Sequence, residues 1–404
     1  PLDILATGEP ENFHFASQEL RLTSTGQGAL SYIGGVYFSE TTLSGNTHAE
    51  LGADILPAVG IPEIPDYRES VQTNSHLLQK SYAAFGSATF KTSARIALTA
   101  GLRYTDERKT LDYDQVVSPF FVAPDTPVGL IYAFAQDVSP LRQRYSKGVF
   151  SGDATASYQW SRDVHSYLRL ARGYKAGGFD TTQSSTSDPG SRAFNPEYVN
   201  LYEIGYKSLF AGRSVRINAA IFYSQHQDKQ EQIFNGTDFA TNNAASASSR
   251  GAEIELTLLP RPDLELNLSV GFADAHYGRF VDKLSGEDYS GNRLPLGARW
   301  SIDSSLQYHR PVYRDWGVFS RVEGVYHSDS FTTSDNDLSF QQRENVILNL
   351  RLGWARTDES FGVYAWGRNV TDSRFVTGGF TFIGNTFISR NRPTMWGVEL
   401  RGRW

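Results

Sequence analysis

One unit repeats through most of this chain and limits what it can fold into: ten to fifteen residues with every second side chain apolar, followed by a break. Across 94–108, Ile96, Leu98, Ala100, Leu102 and Tyr104 fall on one side and Arg95, Thr99 and Arg103 on the other. Across 263–274, Leu264, Leu266, Leu268, Val270 and Phe272 oppose Glu265, Asn267 and Ser269. Val346, Leu348, Leu350, Leu352 and Trp354 repeat the pattern against Asn349 and Arg351. Successive side chains of an extended chain point to opposite faces, so each run reads as a two-sided strand, and helical spacing fits none of them.

About fifteen such strands are expected, near 13–24, 28–39, 76–91, 94–109, 146–160, 164–175, 198–210, 213–229, 247–259, 263–276, 298–310, 316–328, 345–357, 361–370 and 395–404. The breaks alternate in length. Those at 25–27, 92–93, 161–163, 211–212, 260–262, 311–315 and 358–360 are short enough for tight hairpins. Those at 40–75, 110–145, 176–197, 230–246, 277–297, 329–344 and 371–394 are long and rich in Gly, Ser, Asn, Asp and Pro.

A meandering sheet with tight turns at one rim and long loops at the other is the pattern of outer-membrane barrels, with turns in the periplasm and loops outside the cell. A soluble sandwich or propeller has no reason to keep that asymmetry. The expected fold is therefore all-β: a transmembrane antiparallel up-and-down β-barrel in the outer membrane of a Gram-negative bacterium. Composition agrees with a single architecture over 1–404, because no Pro/Ser/Gly-rich linker divides the 404 residues. No apolar run approaches the roughly 18 residues of a spanning helix, whereas a barrel strand needs only about 9–11. Formal net charge is -6, which gives no support to nucleic-acid binding, and the absence of Cys removes disulfide frameworks and thiolate metal sites.

The closing stretch, MWGVELRGRW at 395–404, sets Trp396, Val398, Leu400 and Trp404 against Glu399, Arg401 and Arg403. In a barrel a terminal Trp belongs to the aromatic girdle at the lipid boundary. This strand follows a long break, so it runs inward, and counting back makes the first strand run inward too. An odd count of strands with that polarity implies at least one strand before residue 1, since bacterial barrels of one chain have even counts.

The motifs now carry a resemblance. FASQELRL at 15–22 followed by YIGGVYF at 32–38, ARGYKAGGF at 171–179, Asn195-Pro196-Glu197 with YEIGYKS at 202–208, RGAEIEL at 250–256, GNRLP at 291–295 and WGRNVTD at 366–372 stand in the order and spacing of one family. The chain resembles the C-terminal two-thirds or so of the barrel of a TonB-dependent outer-membrane receptor. The resemblance implies a barrel of about 22 strands, of which about fifteen are here, with an N-terminal plug domain and a TonB-contacting segment that this sequence lacks. It also implies that Trp396, Val398, Leu400 and Trp404 form the signal read by the outer-membrane assembly machinery. Expected partners are outer-membrane lipid, the TonB complex through the missing segment, and a small ligand.

Catalytic chemistry finds no foothold in the sequence. The eight His are scattered without metal-ligand spacing, Gly177-Gly178 and Gly378-Gly379 lack the Lys-Ser/Thr of a phosphate loop, and no Gly-x-Ser-x-Gly elbow is present. Neither enzyme, metal site nor cofactor is expected. The function implied is TonB-powered uptake of a scarce ligand, a ferric siderophore first, with glycan, cobalamin or haem as alternatives. A passive porin or a structural part of an envelope assembly are the rivals from other classes. Candidate ligand contacts are Tyr174, Lys175 and Phe179, and the apolar loop residues Phe380, Phe382 and Phe387, because aromatic rings with a few cations suit a flat or anionic ligand.

Overall fold

The computed structural model describes the chain except residues 1–4, 27, 124–125, 128, 134, 182–191, 235–238, 283–285, 359, 383–384 and 404. Every stretch read from the alternation is a strand. In order they are β1 (Glu11–Thr23), β2 (Leu30–Leu51), β3 (Glu69–Lys91), β4 (Ile96–Ser118), β5 (Val138–Ser161), β6 (Val164–Lys175), β7 (Glu197–Phe210), β8 (Val215–Phe234), β9 (Phe239–Arg261), β10 (Leu264–Tyr277), β11 (Trp300–Tyr313), β12 (Trp316–His327), β13 (Asn345–Arg356), β14 (Phe361–Arg368) and β15 (Met395–Gly402). Each pairs antiparallel with the next along the chain, and a short segment, Leu5–Gly8, extends the line of β1 along β2.

The sheet has a dry face and a wet face. Register places Leu256, Leu268 and Ser304 across from one another on β9, β10 and β11, and Glu255, Ser269 and Asp303 on the opposite side. Thr257 donates to Asn267 at 2.9 Å on that second, lumenal side. Outward side chains are bare: Leu20 is 72% exposed, Ile221 67%, Leu352 63% and Val398 71%. So many large apolar groups left open would be untenable in water, and hydrocarbon is the solvent that suits them. From Leu264 to Phe272 the outward series covers eight steps of about 3.3 Å, or about 26 Å along the strand, matching an apolar band about 25 Å tall.

Aromatic pairs close that band at both rims. On the short-turn side Trp316 stacks on Trp354 at 6.0 Å, and Tyr158 meets Trp160 at 4.6 Å. On the long-loop side Phe38 meets Tyr82 at 5.1 Å, Tyr104 meets Phe150 at 4.9 Å, and Phe272 meets Trp300 at 4.9 Å. These are the two girdles of a membrane barrel. Trp396, Val398 and Leu400 lie outward on β15 as the alternation predicts, while Trp404 lies outside the described residues.

One expectation needs correction. Above the outer girdle β2, β3, β4, β5, β8 and β9 run well past their expected ends, so the breaks expected at 40–75, 110–145 and 230–246 shrink to 52–68, 119–137 and 235–238. The length asymmetry therefore has an exception between β8 and β9. Polar cross-strand pairs hold these extensions: Ser44–His76 at 2.8 Å, Asn46–Asn74 at 2.7 Å, Asn74–Asp114 at 2.9 Å and Glu40–Lys80 at 2.9 Å. With water on both faces the apolar alternation lapses, but backbone ladder bonds do not depend on it.

Candidate functional site: the outer mouth of the barrel

The loops above β2–β5 are folded into a cap. Leu51, Ile55, Leu56, Tyr67, Val71, Val117, Ile131 and Ala135 bury one another between the 52–68 and 119–137 connections. At its centre Glu69, 1% exposed, accepts from the Tyr67 hydroxyl at 2.6 Å and from the backbone N–H of Phe120 at 3.1 Å, Gly129 at 2.9 Å and Ile131 at 2.6 Å. One buried carboxylate thus satisfies donors from two loops, which is how a charge survives burial. Burial, and then the hydrogen bond to Glu69, push the Tyr67 phenol well above its ordinary range.

Beside the cap, the connection after β6 folds down against the inner wall. Gly177 and Gly178 allow the contact: a Cβ on Gly177 would run into the Tyr145 hydroxyl and come within 2.5 Å of the Phe194 carbonyl, and one on Gly178 would sit 3.1 Å from Lys109 Nζ. Phe179 is consequently buried with Leu111, Tyr113 and Val138, edge-on to Tyr145 at 6.3 Å. Arg192 returns over the Tyr113 ring at 3.8 Å and donates to the Asp180 carbonyl at 3.4 Å. The Asp180 carboxylate accepts from the Thr241 N–H at 2.5 Å, tying this loop to β9.

Beneath the loop lies a polar cluster of which the sequence pointed to Tyr174 alone. Tyr174 donates to Glu107 Oε1 at 3.3 Å and Ser81 to the same oxygen at 3.1 Å. Glu107 Oε2 and the Tyr145 hydroxyl are buried without a hydrogen-bond partner among the described residues. Burial pushes the Tyr145 phenol up to about 12 and pulls Lys109 below its usual range. Lys109 continues the inward series that runs through Thr99 and Arg103, and Tyr145 stands opposite it on β5, so extending the alternation past the girdle would have found them.

The expected ligand contacts therefore divide. Tyr174 is half-buried on the cluster, Lys175 is exposed beside it, and Phe179 is a buried anchor. Phe380 and Phe387 stack at 5.5 Å in a hairpin between β14 and β15, with Phe387 exposed to 46%. Gly379 of that hairpin seats against Phe340 of the β12–β13 connection, where a Cβ would approach the ring to 2.7 Å. The side chain of Phe382 lies outside the described residues. The two groups thus stand at separate connections, one after β6 and one after β14.

Deeper in, the lumenal face of β11–β15 holds a cavity of about 510 Å³ lined by Arg321, Arg351, Arg401, Tyr364 and Trp366 among others. Arg351 and Arg401 share Glu399 at 3.0 and 3.1 Å, and Arg351 lies 4.4 Å over the Tyr364 ring. On the neighbouring wall His226 meets Glu197 at 2.8 Å.

Comparison with known proteins follows the same geometry. The profile described as "TonB dependent receptor-like, beta-barrel" matches residues 7–370. The pesticin receptor of Yersinia pestis is 22% identical over 99% of this chain and 53% of its own length. Among solved structures, the ferric yersiniabactin uptake receptor of Yersinia pestis superposes with a TM-score of 0.78 at 20% identity, over 98% of this chain and 54% of that one. A siderophore receptor of Acinetobacter baumannii gives 0.69 at 14% identity, over 97% and 56%. The chain thus spans about half the length of the relatives it matches.

Proposed function

The chain belongs to the TonB-dependent receptor β-barrel family, and from that premise we propose that it serves in an outer-membrane receptor that captures a ferric siderophore and passes it inward, powered through TonB. The observation that carries the reading is the long-loop end of the sheet, which bears a pre-folded cap, a loop seated on the wall and an exposed aromatic hairpin. A simple diffusion channel has no need of loops anchored on buried carboxylates. Kinship favours iron cargo, because one solved relative is named a ferric yersiniabactin uptake receptor and another a siderophore receptor.

In this account Lys175 and Phe387 meet the ligand, the ring by stacking on planar chelating groups and the cation by attracting a negative chelate. Tyr174 links the ligand surface to Glu107, and Phe179 holds the loop in place. A plug domain seated in the lumen would face the arginine-lined cavity and carry the contact to TonB.

Quenching of intrinsic Trp fluorescence by defined ferric siderophores, titrated into purified protein, tests the reading. Saturable binding by at least one of them, weakened tenfold or more in K175A/F387A, is expected. Saturable binding of haem, cobalamin or an oligosaccharide in place of every ferric siderophore would replace the cargo. Unsaturable solute passage in proteoliposomes would replace the receptor with a porin.

A further inference from the structure

The outward wall carries its own charged site just above the outer girdle. On β8–β11 the apolar series ends abruptly: Arg250 stands beside Tyr223, and Asp274, His276 and Arg299 stand above Phe272 and Trp300. Asp274 Oδ2 faces Arg250 at 3.2 Å, and its Oδ1 faces Arg299 at 3.2 Å and His276 Nε2 at 2.9 Å. The second ring nitrogen of His276 faces the Gly291 carbonyl at 3.0 Å. Two guanidiniums thus share one carboxylate, leaving a net positive charge. Arg250 remains 74% exposed and Arg299 48%, each with donors to spare.

Position decides what such a cluster meets. All four strands are paired on both sides, so no open strand edge lies here, and the exposure of Arg250 and Arg299 shows that the described residues leave this face uncovered. Immediately below lie Ile221, 67% exposed, and Ile254, 51% exposed, which need hydrocarbon. A group touching both levels must carry acyl chains and a negative head, and guanidiniums match a phosphate with paired N–H donors. We propose that Arg250 and Arg299 bind the phosphorylated headgroup of a lipid in the loop-side leaflet, with its acyl chains laid along Ile221, Ile254 and Phe272. Binding to such a juxtamembrane cationic site weakens with salt.

Native mass spectrometry of the delipidated protein from outer membranes, titrated with diphosphoryl lipid A and with the same lipid stripped of its phosphates, tests the proposal. The phosphorylated lipid should bind at least tenfold more tightly, and R250Q/R299Q should erase that preference. D274N, which frees both guanidiniums, should keep or raise it. The proposal falls if R250Q/R299Q binds like the parent, if D274N loses binding as deeply as the double variant, or if inorganic phosphate alone displaces the lipid at equal concentration.

Discussion

Replacing Glu69 by Gln keeps the shape of the cap and changes only its acceptor capacity. The carboxylate takes four hydrogen bonds, one from Tyr67 and three from the backbone of the neighbouring loop. A Gln oxygen can serve about two of these donors, and its NH2 group confronts the others. Each stranded buried donor costs about 1–3 kcal/mol, so two give about 2–6 kcal/mol. Water reaching the opened loops limits the loss to about 2–4 kcal/mol, or about 30- to 700-fold in the open population at about 1.4 kcal/mol per tenfold. Hydrogen exchange reads this directly at the amides of Phe120, Gly129 and Ile131, while the belt segments of β10–β13 should exchange as before. Unchanged protection at those three amides would refute the view that Glu69 locks the cap; equal loss throughout the wall would show that the cap is not a separate cooperative unit.

Gly177→Val should push the β6–β7 loop off the wall at a cost of about 1–3 kcal/mol, and trypsin cleavage after the buried Arg192 should rise about 5- to 150-fold. Because the folded Tyr145 phenol titrates near 12 and a free one near 10, its contribution to keeping the loop seated is intact below about pH 10 and drains away as pH climbs through about 12. An ultraviolet phenolate titration should lose one late-titrating tyrosine in Y145F. Leu268→Arg, at the centre of the outward band, should cost about 2–4 kcal/mol of stability in a bilayer, whereas Asn267→Arg on the lumenal side should be tolerated; equal effects in urea unfolding would contradict the assigned faces.

The wall was legible in the sequence because lipid writes its own pattern there. Leu264 to Phe272 must alternate with Glu265, Asn267 and Ser269 when hydrocarbon lies on one side and water on the other. Beyond the girdle that pressure ends, and the long strand extensions held by Asn46, Asn74 and Asp114 look like loop to any reading based on polarity. The mouth was only half legible. GYKAGGF was visible as a strand-to-loop turn, but whether Phe179 faces a ligand or the wall depends on Tyr145, Leu111 and Val138, which come from two other strands. Glu69 and Glu107 looked like ordinary polar positions, since burial by distant loops leaves no local mark. In the sequence Arg250 reads as a lumen or rim charge, and only its neighbours Asp274 and Arg299, brought beside it on the outward face by pairing, give it a site.

Uptake of a radioactive ferric siderophore by whole cells addresses the proposed energised transport most directly, comparing the parent strain with one lacking this protein and one lacking TonB. Surface binding should vanish only without this protein, and internal iron should vanish in both. Internal iron that accumulates at the parental rate without TonB would contradict the account.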